Sequence, residues 1–84
     1  LSAYRSSEYG QRAEIKFNLN DYNGCITDAD LALSIDPKIS NVYFLKGRAS
    51  YRLGNKQDAC KYWSKAGELG KAEAYEYITK YCNN

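Results

Sequence analysis

Histidine is absent from this sequence. That removes the commonest general base and the commonest metal ligand. There is also no glycine-rich phosphate loop, no Cys-x-x-Cys pair, and no serine or cysteine in a recognisable nucleophile setting. Asp28 and Asp30 fall two apart on a helical pattern, where side chains do not face each other. They read as a solvated face rather than an acid/base pair. Cys25, Cys60 and Cys82 lack a fourth ligand for a metal. No catalytic residue, metal or cofactor is therefore expected. No apolar run approaches the ~20 residues a membrane span needs; Val42, Tyr43, Phe44 and Leu45 make only a short buried patch. The first residues show no basic segment followed by an apolar run, so no signal peptide is visible. The compartment is left open.

Net charge is small as well. The net +2 is too small to imply nucleic acid. Tyrosines near basic residues can stack single-stranded bases, but here the charge to hold the backbone is missing. The charge that exists is unevenly placed. Residues 1–37 are net negative, with Asp21, Asp28, Asp30 and Asp36 among them, and residues 38–84 are net positive. This reads either as an ordinary solvated surface or as an electropositive half that attracts an acidic partner. With 84 residues the chain is expected to form a single small domain. Such a domain buries only ~60–65% of its unfolded surface, so its core is thin.

What the sequence does contain is a spaced set of small and large apolar residues. Tyr43, Gly47, Tyr51 and Leu53 recur at helical spacing. Gly54-Asn55 breaks the run, and a second helical run from Lys56 to Glu68 carries Ala59, Trp63 and Ala66. Two helices joined by a tight turn make an antiparallel hairpin. Small residues at Gly47, Ala59 and Ala66 would let the helices approach closely, with Tyr51 and Trp63 filling the space around them. The same pattern occurs 34 residues earlier. There Tyr9, Ala13, Phe17, Leu19, Asp21, Cys25, Ala32 and Ile35 repeat the sizes of Tyr43, Gly47, Tyr51, Leu53, Asn55, Ala59, Ala66 and Leu69.

A repeat of this period is the signature of a helix-turn-helix solenoid. On Tyr9, Ala13, Phe17, Leu19, Cys25, Ala29, Ala32 and Pro37, and on Tyr43, Gly47, Tyr51, Leu53, Gly54, Ala59, Trp63 and Ala66, the chain resembles the tetratricopeptide (TPR) family. The resemblance covers two units, about 6–39 and 40–73. It implies an all-α, right-handed α-α superhelix of two TPR-like hairpins with a fifth, capping helix over about 72–82. Departures are visible. Lys16 and Ser50 stand where the family usually has an aromatic, and Phe17 and Tyr51 beside them can take that packing role. Cys25 replaces the usual alanine. Lys71 replaces the proline that Pro37 supplies in the first unit, which suggests that the array ends there.

In chain order, Leu1 to Arg5 reads as the tail of a preceding repeat or as an extension of the first helix. Ser6 and Ser7 are able N-caps for a helix over about 7–18. Asp21 can cap the second, about 22–34, whose stripe is Cys25, Ile26, Ala29, Ala32 and Leu33. Asn23-Gly24 lacks alternating flanks and reads as a first helical turn rather than a β-hairpin. Pro37 stops this helix. The third helix spans about 41–53 and the fourth about 56–68, with Gly70 as a C′ residue. The fifth spans about 72–81, with Ala74, Tyr75, Ile78 and Tyr81 on one side and 82–84 as a frayed end. Cys25 reads as a buried thiol acting as a small apolar residue. If the fourth and fifth helices form a hairpin, Cys60 and Cys82 sit at nearly the same height. A disulfide or two reduced neighbours both fit.

Function follows from the resemblance. The first helix of each TPR unit lines a concave groove that receives a peptide or extended segment of another protein. Carried over by position, the groove would be lined by Ser7, Gly10, Glu14, Phe17 and Asn18, then by Asn41, Phe44, Arg48, Tyr51 and Arg52. Arg48 and Arg52 share a helical face, with Phe44 one turn earlier. Aromatic and arginine side chains are what interface hot spots favour, and arginine can grip a carboxylate with two hydrogen bonds. A subclass that clamps chaperone C-termini uses a lysine and an asparagine in its first unit. Gly10 and Glu14 stand there, so that clamp is absent. Two readings remain: a non-catalytic protein-binding module whose partner is acidic in the sharper version, and a structural or self-associating segment of a longer repeat array. An apolar outer face on the first helix would favour the second.

Overall fold

The computed structural model describes residues 5–83. The readings made for Leu1 to Tyr4 and for Asn84 lie outside the described residues. Five α-helices follow one another: α1 (Ser6–Asn18), α2 (Tyr22–Ile35), α3 (Ser40–Arg52), α4 (Lys56–Glu68) and α5 (Glu73–Tyr81). No strand occurs among the described residues. None of the helices is long and apolar enough to cross a membrane. Each boundary falls within a residue of its expected place, and each has a local cause.

Three tight turns share one device. Asn20, Gly54 and Gly70 adopt positive φ (64°, 88° and 107°). In each case the next N–H reaches back to a helical carbonyl: Asp21 to Lys16, Asn55 to Ser50 and Lys71 to Ala66, at 2.8 to 2.9 Å. This left-handed cap satisfies the carbonyls that a helix end leaves open. It also reverses the chain, so α1/α2, α3/α4 and α4/α5 pack as neighbours. At α2 the Gly24 N–H donates to the Asp21 carboxylate at 2.9 Å, the expected cap. At α1 the expectation fails. The N-cap is Arg5, whose N–H donates to Glu8 Oε1 at 3.1 Å, and Ser6 and Ser7 lie inside the first turn. The α2–α3 link differs from the tight turns. Asp36 is extended (φ −134°, ψ 101°), as a residue before proline must be, and ends α2 without a reversal cap.

Helix α3 organises the packing because two of its faces are apolar. Val42, Leu45 and Ala49 join Ala13, Phe17, Cys25, Ala29 and Ala32 in one core. Phe44 joins Ala59, Trp63, Ala66 and Ala74 in a second. The small residues act through Trp63, which is 1% exposed. A Cβ on Gly47 would lie 2.5 Å from Trp63 Cδ1 and Nε1, so the glycine leaves room for the indole rather than for the α4 backbone. Tyr51, Tyr77 and Tyr81 surround the same ring at centroid distances of 5.8, 5.3 and 5.8 Å.

The structure corrects three details. Tyr77, not Tyr75, shares the inner side of α5 with Ala74, Ile78 and Tyr81; Tyr75 is 52% exposed and lies over Gly67. Cys82 is not frayed: it is the C-cap of α5 and is disulfide-bonded to Cys60 near the start of α4, with Cα atoms 6.0 Å apart. Asp28 is not solvated. It is fully buried, and Arg12 clamps it with Nε at 2.9 Å and a second nitrogen at 2.8 Å, while Lys16 Nζ lies at 3.0 Å. The Arg12 hydrogen bond, with Lys16 beside it, holds the Asp28 carboxyl below the usual range against the opposing effect of burial. Asp30, two residues on, is the exposed partner of Lys46.

Candidate functional site: the cleft between α1 and α3

An open cleft of about 710 Å³ runs between α1, α3 and the α4–α5 junction. It forms because the first turns of α1 carry small side chains toward α3. Gly10 is the clearest case, since a Cβ there would touch Val42 at 3.4 Å. Of the residues expected to line a groove, Ser7, Gly10, Glu14, Asn41, Phe44 and Arg48 do line this cleft. Phe17, Asn18, Tyr51 and Arg52 do not. Phe17 is buried in the first core, and Asn18 is exposed at the end of α1. Tyr51 is turned toward α5, 4.8 Å ring to ring from Tyr81. Arg52 is held at the far end, where it donates to the Tyr22 hydroxyl at 3.1 Å.

Lys71 and Glu73 complete the lining and were not foreseen. In the sequence Lys71 stands out only as a missing proline. The signal that could have found it is the repeat shift itself. If α5 occupies the place of a next first helix, its leading residues must border the same groove. Lys71 Nζ sits 5.3 Å from the Phe44 ring centre and 3.7 Å from Glu73.

The electrostatics centre on Arg48. Its guanidinium lies 4.6 Å from the Phe17 ring centre and 5.9 Å from that of Phe44. Arg52 lies 6.0 Å from Phe17 and 5.8 Å from Tyr22. Neither arginine pairs with a carboxylate among the described residues. Arg12 and Lys16, by contrast, are committed to Asp28. Burial, and then the nearby Asp28 and Asp21 charges, push the Cys25 thiol up to about 11. Cys25 therefore stays protonated at neutral pH and packs as an apolar side chain. Lys46 is half-buried. Burial alone would lower its pKa, but the Asp30 carboxylate and Tyr62 outweigh it and keep the ammonium charged.

The cleft thus offers the Phe44 ring, the cationic Arg48 and Lys71 beside it, and carboxylates at the rim. That combination can hold a chain by apolar contact and ion pairing. Compared with protein-family models and with curated proteins, the chain matches none.

Proposed function

We propose that the chain is a non-catalytic protein-binding module, built as two TPR-like hairpins in a right-handed superhelix with α5 as the capping helix, and that its cleft takes an extended segment of another protein. The observation that carries this reading is the cleft itself. Two helices one repeat apart turn equivalent positions toward one space, Gly10 with Phe44 and Glu14 with Arg48. Equivalent burial supports the repeat. Ala13 and Gly47, Cys25 and Ala59, and Ala32 and Ala66 are all buried. The matching turns at Asn20 and Gly54 support it too.

The outer face of α1 bears on the self-stacking reading. On α3 the row Val42, Leu45, Ala49 is buried against the preceding hairpin. One repeat earlier the same row is Glu8, Gln11 and Ile15, and all three are exposed. Glu8 and Gln11 make two of its three positions polar, which disfavours stacking another apolar face there. Ile15 and Leu19, 57% and 73% exposed, are the feature that favours self-association.

Peptide display on the intact chain tests the proposal. Clones are expected to be recovered and then lost on an Arg48→Glu/Arg52→Glu chain of unchanged helicity. Recovery by both chains alike would place the binding elsewhere. A concentration-dependent dimer in sedimentation, with no peptide recovered, would replace the groove with self-stacking.

A further inference from the structure

The rings and cations beside the cleft form one alternating row. Lys71 lies over Phe44, Arg48 lies between Phe44 and Phe17, and Arg52 lies between Phe17 and Tyr22. The row crosses four segments of the chain, so the fold assembles it and no single helix does. Stacking on a ring fixes the plane of a guanidinium and leaves its edge for hydrogen bonding. Tyr22 adds a hydrogen bond that anchors Arg52, and the Tyr22 hydroxyl itself donates to Asn20 Oδ1 at 2.9 Å. Arg48 and Arg52 lie within 4.6 to 6.0 Å of these ring centres without any carboxylate of their own among the described residues.

We infer that this row recognises an extended acidic segment of a partner protein, with two carboxylates two residues apart gripped by Arg48 and Arg52. The inference rests on the groove reading above and narrows it. Spacing selects the ligand. Residues four apart on a helix are separated by ~6 Å along its axis. In an extended chain, side chains two apart point the same way and lie ~6.7 Å apart. A segment running along α3 can therefore meet both arginines with alternate residues. Adjacent carboxylates would point to opposite sides. The residue beyond the pair reaches Lys71, which lies over Phe44.

A nucleic-acid backbone fits less well. Phe17 and Phe44 are buried and their faces are covered by cations, so no base has an open ring to stack on. Glu14, Asp36 and Glu73 border the same cleft. A peptide with two placed carboxylates avoids them, and a continuous run of phosphates does not.

The test uses the intact, disulfide-bonded chain and blocked nonapeptides centred on Asp-Val-Asp, Asp-Asp-Val or Asn-Val-Asn, titrated by NMR. Asp-Val-Asp is expected to bind about tenfold or more tighter than Asn-Val-Asn, the scale of charge-assisted hydrogen bonds. It should also bind more tightly than Asp-Asp-Val and weaken with added salt. Arg48→Lys/Arg52→Lys keeps the charge and loses the planar fork. That variant, with unchanged helicity, is expected to lose about tenfold for Asp-Val-Asp. Equal binding of all three peptides, or full affinity in the lysine variant, overturns the inference. An oligouridylate that binds more tightly than Asp-Val-Asp overturns it in favour of RNA. Display-selected peptides that occupy the cleft without alternate acids overturn it and leave the groove reading standing. Failure of every peptide overturns both.

Discussion

Reducing the Cys60–Cys82 bond should weaken the whole fold, and the size of the effect can be worked out. The bond closes a loop across a sequence separation of 22 residues, from the start of α4 to the end of α5. In the chain-entropy account such a link removes freedom from the unfolded chain, and for a loop of this length it contributes about 3 kcal/mol. For a domain of this size each kcal/mol moves the melting temperature by roughly 4–8 °C, so the reduced chain should melt about 12–24 °C lower. Reduction should change the native packing little, because Ala74, Tyr77, Ile78 and Tyr81 hold α5 against Phe44 and Trp63. The loss should therefore appear mainly as stability rather than as lost helix at low temperature. Thermal melts followed by circular dichroism, with and without a phosphine reductant, measure it; a Cys60→Ser/Cys82→Ser chain serves as control. A reduced chain melting within a few degrees of the oxidised one would mean that the bond adds little stability. It would mean that the two helices are already constrained in the unfolded state, or that the bond does not form.

Three further perturbations read the packing. Gly47→Ala gains about 1 kcal/mol of helix propensity, but the new methyl meets the Trp63 indole at 2.5 Å; urea denaturation should show a net loss of about 1–3 kcal/mol. Ala66→Leu at a fully buried site should cost a similar ~1–3 kcal/mol by overpacking, and an unchanged denaturation midpoint would remove Ala66 from the helix crossing. Asp28 carries a pH signature. Its folded pKa lies below the unfolded value of ~3.9, so its stabilisation is complete above that value and is lost as the pH falls through the lowered folded one. Asp28→Asn should lose about 1–3 kcal/mol at neutral pH and show a shallower decline in urea midpoint between neutral and acid pH.

Much of this fold is visible in the sequence because its signals are local. The helix ends follow from Asp21, Pro37, Gly54 and Gly70, each acting on its own neighbours. What stays hidden depends on groups brought from elsewhere. Asp28 was weighed against Asp30, its neighbour in sequence, whereas its partners Arg12 and Lys16 come from another helix. Arg12 and Lys16 stand one turn apart on α1, and that was the available clue. On α5 the sequence allows either Tyr75 or Tyr77 to face inward. The choice is made by Phe44 and Trp63, whose rings meet Tyr77 edge-on at 4.8 and 5.3 Å. The cleft was legible where repeat positions define it, at Glu14, Asn41, Phe44 and Arg48. At Lys71 and Glu73 it was legible only through the repeat shift, which puts α5 in the place of a next first helix beside α3.

The proposed binding site is the cleft between α1 and α3. The most direct measurement is amide shift mapping of the chain titrated with a display-selected peptide. The largest changes are expected at Ser7, Gly10, Glu14, Asn41, Phe44 and Arg48, with Lys71 and Glu73 following. Changes centred instead on Leu31 and Ile35 of α2, or on Ile15 and Leu19 of α1, would contradict it.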